Sequence, residues 1–404
     1  NLDSYLQRFE KSAQAAGAIV HWAETPEEAC RIVAGIARQH NVRKIVKSKS
    51  MVTEECALND HLEGEGLEVV ETDLGEYILQ LAKEPPSHIV APVMHMNKDE
   101  IATLFEEKHR LPRQTEIPAI VDEARVMLRK HFLSADMGIS GGNFLIAETG
   151  SVMLFTNEGN GRLSTTLPRV HVAITGIEKV VPTLEDAANF ARLLPRSATG
   201  QPITNYISLL TGKRRSGDLD GPEHMHIVLL DNGRSGMLGT VFESMLRCIR
   251  CGACMNHCPV YQNVGGHAYG WVYPGPMGAV LTPLYAGMEN TVHLPNASTF
   301  CGKCAEVCPV KIPLPDLMRE LRAQQFDRRL RSWQERWILC AWRWIAERPA
   351  LYAFGTRVGI RLLSWLGGRK KRLRWLPGGA WTRGRDMPAP SGRTFRDLYR
   401  ERRQ

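Results

Sequence analysis

The sequence has no apolar run as long as the roughly 18 residues that a membrane-spanning helix needs. It also lacks a G-x-G-x-x-G turn after a strand and a phosphate-binding P-loop, which excludes the usual nucleotide sites. No zinc-finger, RNA-recognition or helix-turn-helix signature is present, so nucleic acid is not an expected partner. No secretory h-region follows Asn1, and the missing Met predicts that residues of the natural protein precede it. These absences favour a cytoplasmic protein.

Cysteine, by contrast, is concentrated in one region: seven of the ten cysteines form two short runs. The first run is Cys248-Ile-Arg-Cys251-Gly-Ala-Cys254-Met-Asn-His-Cys258-Pro, and the second is Cys301-Gly-Lys-Cys304-Ala-Glu-Val-Cys308-Pro. This is the spacing of iron–sulfur ligands, in which three thiolates surround one cluster and the fourth, before proline, reaches the other cluster. The sequence therefore predicts two 4Fe–4S clusters.

The pairing rule also predicts which thiolates share a cluster. It assigns Cys248, Cys251, Cys254 and Cys308 to the first cluster, and Cys258, Cys301 and Cys304 to the second. Ser298 stands where the second run would have its first cysteine, so the second cluster has three thiolate ligands. That cluster is expected to be a 3Fe–4S cluster or to have a fourth ligand other than cysteine.

Zinc sites and disulfide bonds are the alternative uses of closely spaced cysteines. Zinc takes four ligands per site, which seven cysteines in this order fit poorly. Closely spaced thiols without a secretory segment indicate a reducing compartment, where disulfides are rare. Cys30, Cys56 and Cys340 lie outside the runs and are expected to be buried small apolar side chains.

The distribution of apolar residues predicts three domains. Residues 1–236 alternate strand-like and helix-like segments, which is typical of an α/β domain with a mostly parallel sheet covered on both faces. A hairpin signal at Phe144–Ala147 and Val152–Phe155 indicates that this sheet is mixed. Residues 237–325 contain both cysteine runs, and the 42 residues between the runs favour an all-helical ferredoxin domain.

Residues 326–404 are predicted to form a basic, Trp-rich helical tail. From residue 321 to the end there are 21 Lys and Arg against 6 Asp and Glu, a net charge of +15, whereas residues 1–320 carry −7. Trp333 and Trp337 lie on one face of a predicted helix. Such a tail suits an anionic membrane surface or an acidic partner, or alternatively packs on its own ferredoxin domain. Beyond Gly367 the Pro- and Gly-rich sequence is expected to be loosely ordered.

Individual elements of the first domain can be placed by their caps and periodicity. Thr25 is predicted to cap a helix that begins at Pro26. A second helix is predicted over Val52–Leu62, and Thr183 is predicted to cap a helix that ends near residue 194. His88–Ala91 has the composition of a strand.

Several polar residues of the first domain are candidates for substrate binding. Lys47 and Lys49 flank a strand-to-helix turn, where backbone N–H groups can bind an anion; a solvated loop is the equal alternative. Asn157 and Arg162 occupy a glycine-rich turn, and the guanidinium could bind a carboxylate or simply close the turn. Glu148 could exchange a proton with a substrate, or serve as an ordinary surface acid.

Three further features of the first domain are also candidates for function. His95 and His171 are candidates for acid–base chemistry. Each is more often a structural histidine whose ring nitrogens form hydrogen bonds within the protein. Glu71-Thr72-Asp73 ends a predicted strand, where α/β sheets usually bind ligands.

Several longer stretches together resemble a known family. They are Lys47-Ser-Lys-Ser-Met-Val-Thr-Glu54, Glu71-Thr-Asp-Leu-Gly75, Gly142-Asn-Phe144, Thr156-Asn-Glu-Gly-Asn160, Leu167-Pro-Arg-Val-His-Val-Ala-Ile-Thr-Gly-Ile-Glu-Lys-Val180 and Pro309-Val-Lys-Ile312. With the cysteine runs, they resemble the iron–sulfur subunits of bacterial L-lactate utilisation systems, which join a lactate-utilisation domain to a helical ferredoxin. The resemblance covers most of residues 1–325, continues more weakly into the tail, and includes the seven-cysteine pattern with Ser298.

The resemblance implies a subunit that carries electrons in a complex oxidising L-lactate to pyruvate. It also implies two partners, a cysteine-rich subunit and a second protein with a lactate-utilisation domain. Alternatively, the first domain itself binds and oxidises a hydroxy acid at the Lys49 and Arg162 loops, or the clusters are structural parts of a scaffold. The expected location is the cytoplasm, with peripheral contact at the inner face of the membrane through the basic tail.

Overall fold

The computed structural model describes residues 1–85, 93, 95–156, 158–204, 206–374, 382 and 384–403. The chain divides into two compact units, residues 1–324 and 325–404. The predicted strand His88–Ala91 and the candidate Asn157 lie outside the described residues.

The first unit contains the α/β region and both cysteine runs. Its strands are β1 (Ile19–Ala23), β2 (Lys44–Lys47), β3 (Glu68–Glu71), β4 (Met137–Ser140), β5 (Phe144–Ile146), β6 (Ser151–Thr156), β7 (Val170–Gly176), β8 (Val180–Val181), β9 (Tyr206–Leu210) and β10 (His224–Leu230). Its first nine helices are α1 (Leu2–Ala15), α2 (Pro26–Gln39), α3 (Met51–Glu55), α4 (Leu58–Gly64), α5 (Leu74–Ala82), α6 (Lys98–His109), α7 (Ile117–Ser134), α8 (Asn160–Thr166) and α9 (Leu184–Thr199).

Six of these strands form one sheet in the order β1-β10-β7-β4-β2-β3, and every neighbouring pair in it is parallel. All seven residues of β7 are buried, which is typical of a central strand covered by helices on both faces. The expectation of a single mixed sheet is therefore corrected. The hairpin β5–β6 belongs to a separate four-stranded sheet, in the order β8-β5-β6-β9, which contains the antiparallel pairs.

Local signals placed most helix starts correctly, and tertiary packing altered some helix ends. The backbone N–H of Glu28 donates to the Thr25 Oγ1 at 3.3 Å, which confirms the predicted cap of α2. The predicted helix Val52–Leu62 is instead the pair α3 and α4, because Ala57 adopts a left-handed conformation with φ of 50°. Helix α9 starts after Thr183 as predicted and continues to Thr199.

In the region with the cysteine runs, the regular elements among the described residues are all helices, joined by turns and irregular segments. Its helices are α10 (Ala253–Asn256), α11 (Pro259–Val264), α12 (Gly275–Tyr285), α13 (Lys303–Glu306) and α14 (Leu314–Asp327). Short 3-10 turns cover Ser235–Met237, Glu243–Arg247, His267–Tyr269 and Leu294–Asn296. A helical ferredoxin-like arrangement, as the long insert predicted, thus surrounds the cysteines.

The second unit contains α15 (Trp333–Ala346), α16 (Pro349–Leu366) and α17 (Phe395–Arg403), together with the strands β11 (Arg372–Leu373) and β12 (Met387–Pro388). The expectation of loose order beyond Gly367 is thus wrong for the described part, because β11 pairs with β12 and α17 follows. Cys340 on α15 is exposed, unlike the buried Cys30 and Cys56, so its predicted burial is also wrong. Among the described helices, none has the length and apolar character needed to span a membrane.

Candidate metal centres and the carboxyl edge of the sheet

The two cysteine runs adopt the same backbone turn. Arg250 and Gly252, on either side of Cys251, have positive φ values of 58° and 77°. Phe300 and Gly302 flank Cys301 in the same way, with φ values of 54° and 83°. Non-glycine residues seldom adopt this conformation, and its occurrence once in each run marks a backbone shaped around its cysteine.

The first run lines a cavity that also receives the last cysteine of the second run. Its wall contains Cys248, Cys251, Cys254 and Cys308. The remaining lining is mostly apolar and includes Ile249 and Met277. Four thiols facing one space form the donor set that a 4Fe–4S cluster requires.

A second cavity is lined by Cys258 from the first run and by Cys301 and Cys304 from the second. Ser298 also lines this cavity, and its Oγ accepts a hydrogen bond from the Phe300 N–H at 3.1 Å. Three thiols and one hydroxyl therefore face this space. The two cavities contain the two sets of residues that the spacing rule brings together.

Backbone N–H groups point at several of these sulfur atoms. Burial raises the pKa of Cys251 to about 11, while the N–H of Ala253 opposes that rise by hydrogen bonding to the sulfur. The Cys301 thiol is exposed, and the N–H of Lys303 lowers its pKa. The N–H of Ile312 donates to the Cys308 sulfur at 3.4 Å. Such N–H to sulfur bonds stabilise thiolates and the negative charge of a bound cluster.

The two cavities differ in their surroundings. Ile249, Cys251 and Ala253 pack in one apolar cluster with Phe144 and Met153 of the second sheet. Residues that line the first cavity therefore pack against the α/β region, whereas the second cavity has an exposed cysteine, Cys301.

In the α/β region, polar side chains gather at the carboxyl ends of β2 and β3. Lys47 and Glu71 are neighbours in the sheet register. The Lys47 Nζ lies 2.5 Å from Glu54 Oε1 and 2.7 Å from Glu71 Oε1, and it is fully buried. Burial alone would lower the pKa of Lys47, but these two carboxylates outweigh it and hold that pKa above its ordinary value. The Lys47 ammonium is thus neutralised within the protein.

Beside this pair lies a carboxylate that sequence reasoning did not single out. Glu76 on α5 is 3% exposed, and neither of its carboxylate oxygens has a hydrogen-bond partner among the described residues. Burial, and then the nearby Glu71, raise the pKa of Glu76. Lys49 is half-buried and has no hydrogen bond or ion pair within the described chain. Its positive charge lowers the pKa of Glu76, but burial and Glu71 have larger effects and keep that pKa raised.

The remaining candidates occupy ordinary structural positions. Glu148 is exposed and accepts a hydrogen bond from the Leu184 N–H at 2.9 Å, at the start of α9. Arg162 is exposed in the first turn of α8. His171 is buried beside Ser140 Oγ at 2.9 Å, and burial lowers its pKa to about 3. The structure therefore brings Lys47 and Lys49 to the carboxyl edge, while Glu148 lies on the hairpin of the other sheet.

Outside the cysteine runs, three exposed side chains of metal-ligating residue types lie close together. Within the described ranges, ligand atoms of Glu84, His95 and His267 lie within 4.8 Å of one another. His95 Nε2 and Glu84 Oε2 are already 2.7 Å apart in a hydrogen bond, and all three residues are exposed. This contact gives His95 a structural partner.

A buried set of charged residues was also missed by sequence reasoning. Glu55 and Glu178 of the α/β region contact Arg234 and Arg250, which lie near or within the first cysteine run. Glu55 follows Glu54 on α3, so this short helix contacts both the carboxyl edge and the buried charges. The local sequence offered little signal for this set beyond the position of Arg250 between two cysteines.

Comparison with known families matches three consecutive parts of the chain. The LUD domain family matches residues 6–230, the 4Fe-4S dicluster domain matches residues 244–312, and the family "Lactate utilisation protein B, C-terminal" matches residues 322–404. The region of the two cavities is therefore a 4Fe–4S dicluster domain.

Curated relatives match over the full chain and share one name, Lactate utilization protein B. The protein of Macrococcus caseolyticus is 46% identical over 407 residues, and that of Bacillus licheniformis is 47% identical over 409 residues. The Bacillus subtilis protein is 47% identical over 416 residues. Each alignment covers 100% of this chain and 85% of the relative.

Among solved structures, a DUF162 family protein from Deinococcus radiodurans aligns with 57% of this chain and 98% of its own. The identity is 14% and the TM-score is 0.32.

Proposed function

Because the chain belongs to the lactate utilization protein B family, we propose that it is the iron–sulfur electron-transfer subunit of a complex that oxidises L-lactate to pyruvate. The observation that carries the proposal is the separation of seven cysteines into two cavities. Cys248, Cys251, Cys254 and Cys308 are the proposed ligands of one cluster, and Cys258, Cys301 and Cys304 are those of the other.

Each part of the site has a role in this proposal. A cluster bound in each cavity would accept and release one electron at a time. The thiolates hold it, the apolar lining limits water, and the backbone N–H groups stabilise negative charge on sulfur. The exposed Cys301 leaves one edge of the second cavity accessible to a partner, for which we propose the cysteine-rich subunit or the second lactate-utilisation-domain subunit.

Single cysteine variants test the two-cluster arrangement. Protein purified without oxygen is expected to contain two centres by iron and sulfide analysis and by electron spin resonance. Cys308→Ala and Cys258→Ala should each remove a different centre, because the two thiols line different cavities. Cys340→Ala, which changes an exposed cysteine of α15, is the matched control and should keep both centres. Zinc without acid-labile sulfide, or loss of the same centre in both variants, would contradict the arrangement.

Turnover assays separate electron transfer from catalysis by this chain. The isolated chain with an artificial electron acceptor is expected to be inactive on L-lactate, and the complex reconstituted with its partner subunits is expected to be active. Activity of the isolated chain would favour the second candidate function described next.

The second candidate function places hydroxy-acid binding in the first domain itself. The observation that favours it is the unpaired, half-buried Lys49 beside the buried Glu76 at the carboxyl edge of the sheet. Lys49 could bind a carboxylate, and Glu76, whose pKa is raised by burial, could accept a hydroxyl proton. Lys49→Met and Glu76→Gln should then abolish L-lactate-dependent turnover of the complex while both clusters remain reducible by dithionite.

Ser298→Cys is expected to make the second cluster more resistant to loss of iron. Ser298 lines the cavity that holds three thiols, and a serine oxygen must lose a proton to bind iron well. A fourth thiolate completes the donor set and adds negative charge, so the reduction potential of that cluster should fall. A potentiometric titration and timed exposure to oxygen measure both effects. Equal potentials and equal oxygen sensitivity would show that another residue supplies the fourth ligand.

The tail is proposed to dock on an anionic membrane surface. The side chains of Trp333, Trp337 and Trp365 on α15 and α16 are 74%, 72% and 75% exposed, within a segment of net charge +15. Exposed Trp beside Arg is typical of interfacial helices. Trp333→Ser combined with Trp337→Ser should reduce co-sedimentation with phosphatidylglycerol vesicles, whereas Trp22→Ser on β1 should not. If co-sedimentation is unchanged but assembly with the partner subunits weakens, the tail docks on protein instead.

A further inference from the structure

A buried chain of charged side chains connects the α/β region to the first cysteine cavity. Arg234 is fully buried and donates from Nη1 and Nη2 to the two oxygens of Glu55, each at 2.9 Å. Its Nε donates to Glu178 Oε2 at 2.7 Å. The other oxygen of Glu178 lies 3.4 Å from Arg250 Nη2. Glu178 therefore joins two guanidinium groups, one of which belongs to the cysteine run itself.

The Arg250 side chain lies at the wall of the first cavity, where it contacts Met277, Tyr285 and Tyr273. Its Nη1 lies 3.4 Å from the Met277 sulfur, and its Nη2 lies 3.4 Å from the Tyr285 hydroxyl. The guanidinium stacks over the Tyr273 ring at 4.6 Å, and the Tyr273 hydroxyl donates to Glu55 Oε2 at 2.6 Å. The Arg250 side chain is 11% exposed, so water screens the charge of its guanidinium poorly.

A second cation lies on the same side of this cavity. Lys179 follows Glu178 in the α/β region, and its Nζ donates to the backbone oxygen of Cys248 at 2.8 Å. The Lys179 side chain is 8% exposed. By contrast, the described lining of the second cavity contains no Lys or Arg. Arg250 is thus the one Lys or Arg among the described lining residues of the two cavities, while at the second cavity the charge of Lys303 acts on Cys301.

We propose that Arg250, held in position by Glu178 of the α/β region, raises the reduction potential of the cluster in the first cavity. The inference rests on the proposed function, since it requires a cluster in each cavity. Reduction adds one negative charge to a cluster, and a nearby positive charge in a poorly solvated site stabilises that added charge.

The same placement explains how two unlike clusters can exchange electrons. A 4Fe–4S cluster with four thiolates is more negative, and thus harder to reduce, than a 4Fe–4S cluster with three thiolates and a neutral fourth ligand. The first cavity has four thiols and the second has three. Arg250 and Lys179 offset the extra thiolate charge of the first cavity and bring the two potentials closer together. Glu178, from the α/β region, determines how much of that positive charge the cluster experiences.

The test compares the two cluster potentials in variants of the full chain, purified without oxygen and titrated potentiometrically with spin-resonance detection. Arg250→Met removes the charge, and Arg250→Lys retains it. Arg247→Met is the matched control, because it removes an exposed cation one residue before Cys248. Glu178→Gln removes the opposing negative charge. The signals are assigned to cavities with Cys308→Ala and Cys258→Ala.

Arg250→Met is expected to lower the potential of the first cluster enough to change the electron-exchange equilibrium between the clusters at least tenfold, about 59 mV for one electron. Glu178→Gln should shift the same potential in the opposite direction, whereas Arg250→Lys and Arg247→Met should change the equilibrium less than threefold. Opposite shifts distinguish an electrostatic effect from structural damage, which would shift both variants alike or remove the cluster. Unchanged potentials in Arg250→Met, or an equal shift in Arg247→Met, would overturn the inference while two intact clusters still supported the proposed function. Absence of clusters from the unaltered protein would instead refute the proposed function.

Discussion

Replacing Arg234 with Met is expected to lower the free energy of unfolding by about 3–5 kcal/mol. Arg234 is fully buried between Glu55 and Glu178, and it donates three hydrogen bonds to their carboxylates. Its guanidinium also lies 4.5 Å from the Tyr285 ring centroid. Met fills similar space but leaves two carboxylates buried without their cation, which is the costly way to break a buried ion pair. Urea unfolding of the purified chain measures the effect.

The exposed Arg247 provides the control, since Arg247→Met removes the same charge from the surface and should leave stability nearly unchanged. The double variant Arg234→Met with Glu55→Leu should lose less than the sum of the two single losses, because one uncompensated carboxylate is absent. Additive losses would show that Arg234 and Glu55 do not depend on each other.

Replacing Lys47 with Met is expected to cost about 3–5 kcal/mol near pH 8 and clearly less near pH 5. The substitution removes the ammonium that pairs with Glu54 and Glu71, beside the buried Glu76. Burial already raises the pKa of Glu71 and of Glu76, and loss of the neighbouring cation raises both further. A carboxyl group whose pKa is raised by folding contributes stability below its unfolded pKa, and this contribution is lost as pH rises through the folded pKa.

The measurement is urea unfolding of both proteins at several pH values between 5 and 8, with the difference in stability expected to grow as pH rises. Lys44→Met on the same strand is the control, because Lys44 pairs with the exposed Glu68 at 3.0 Å and its side chain reaches solvent. A loss in Lys47→Met that is the same at every pH would mean that Glu71 and Glu76 do not take up protons in this range.

How far the sequence predicts the site depends on how local each feature is. Neighbouring cysteines of each run are separated by only two or three residues, so their spacing can be recognised in the sequence. In the structure, the backbone forms the same turn around Cys251 and around Cys301. The anion-site hypothesis for Lys47 rests on local position as well, but no local pattern indicates that Glu71 on the next strand neutralises the Lys47 ammonium. The network of Glu55 with Arg234 joins residues 179 positions apart, and no short motif records such a pairing.

Local sequence patterns are sufficient to predict the repeated β/α segments, the cap at Thr25, the β5–β6 hairpin and the two cysteine runs, because each depends on side chains within a few residues of one another. The folded chain, by contrast, places the hairpin in a second sheet and divides the predicted helix at Ala57. It also placed Glu178 and Arg250 together beside the first cavity. These outcomes depend on which surfaces pack together and which buried charges find partners, and both are settled by contacts between distant parts of the chain.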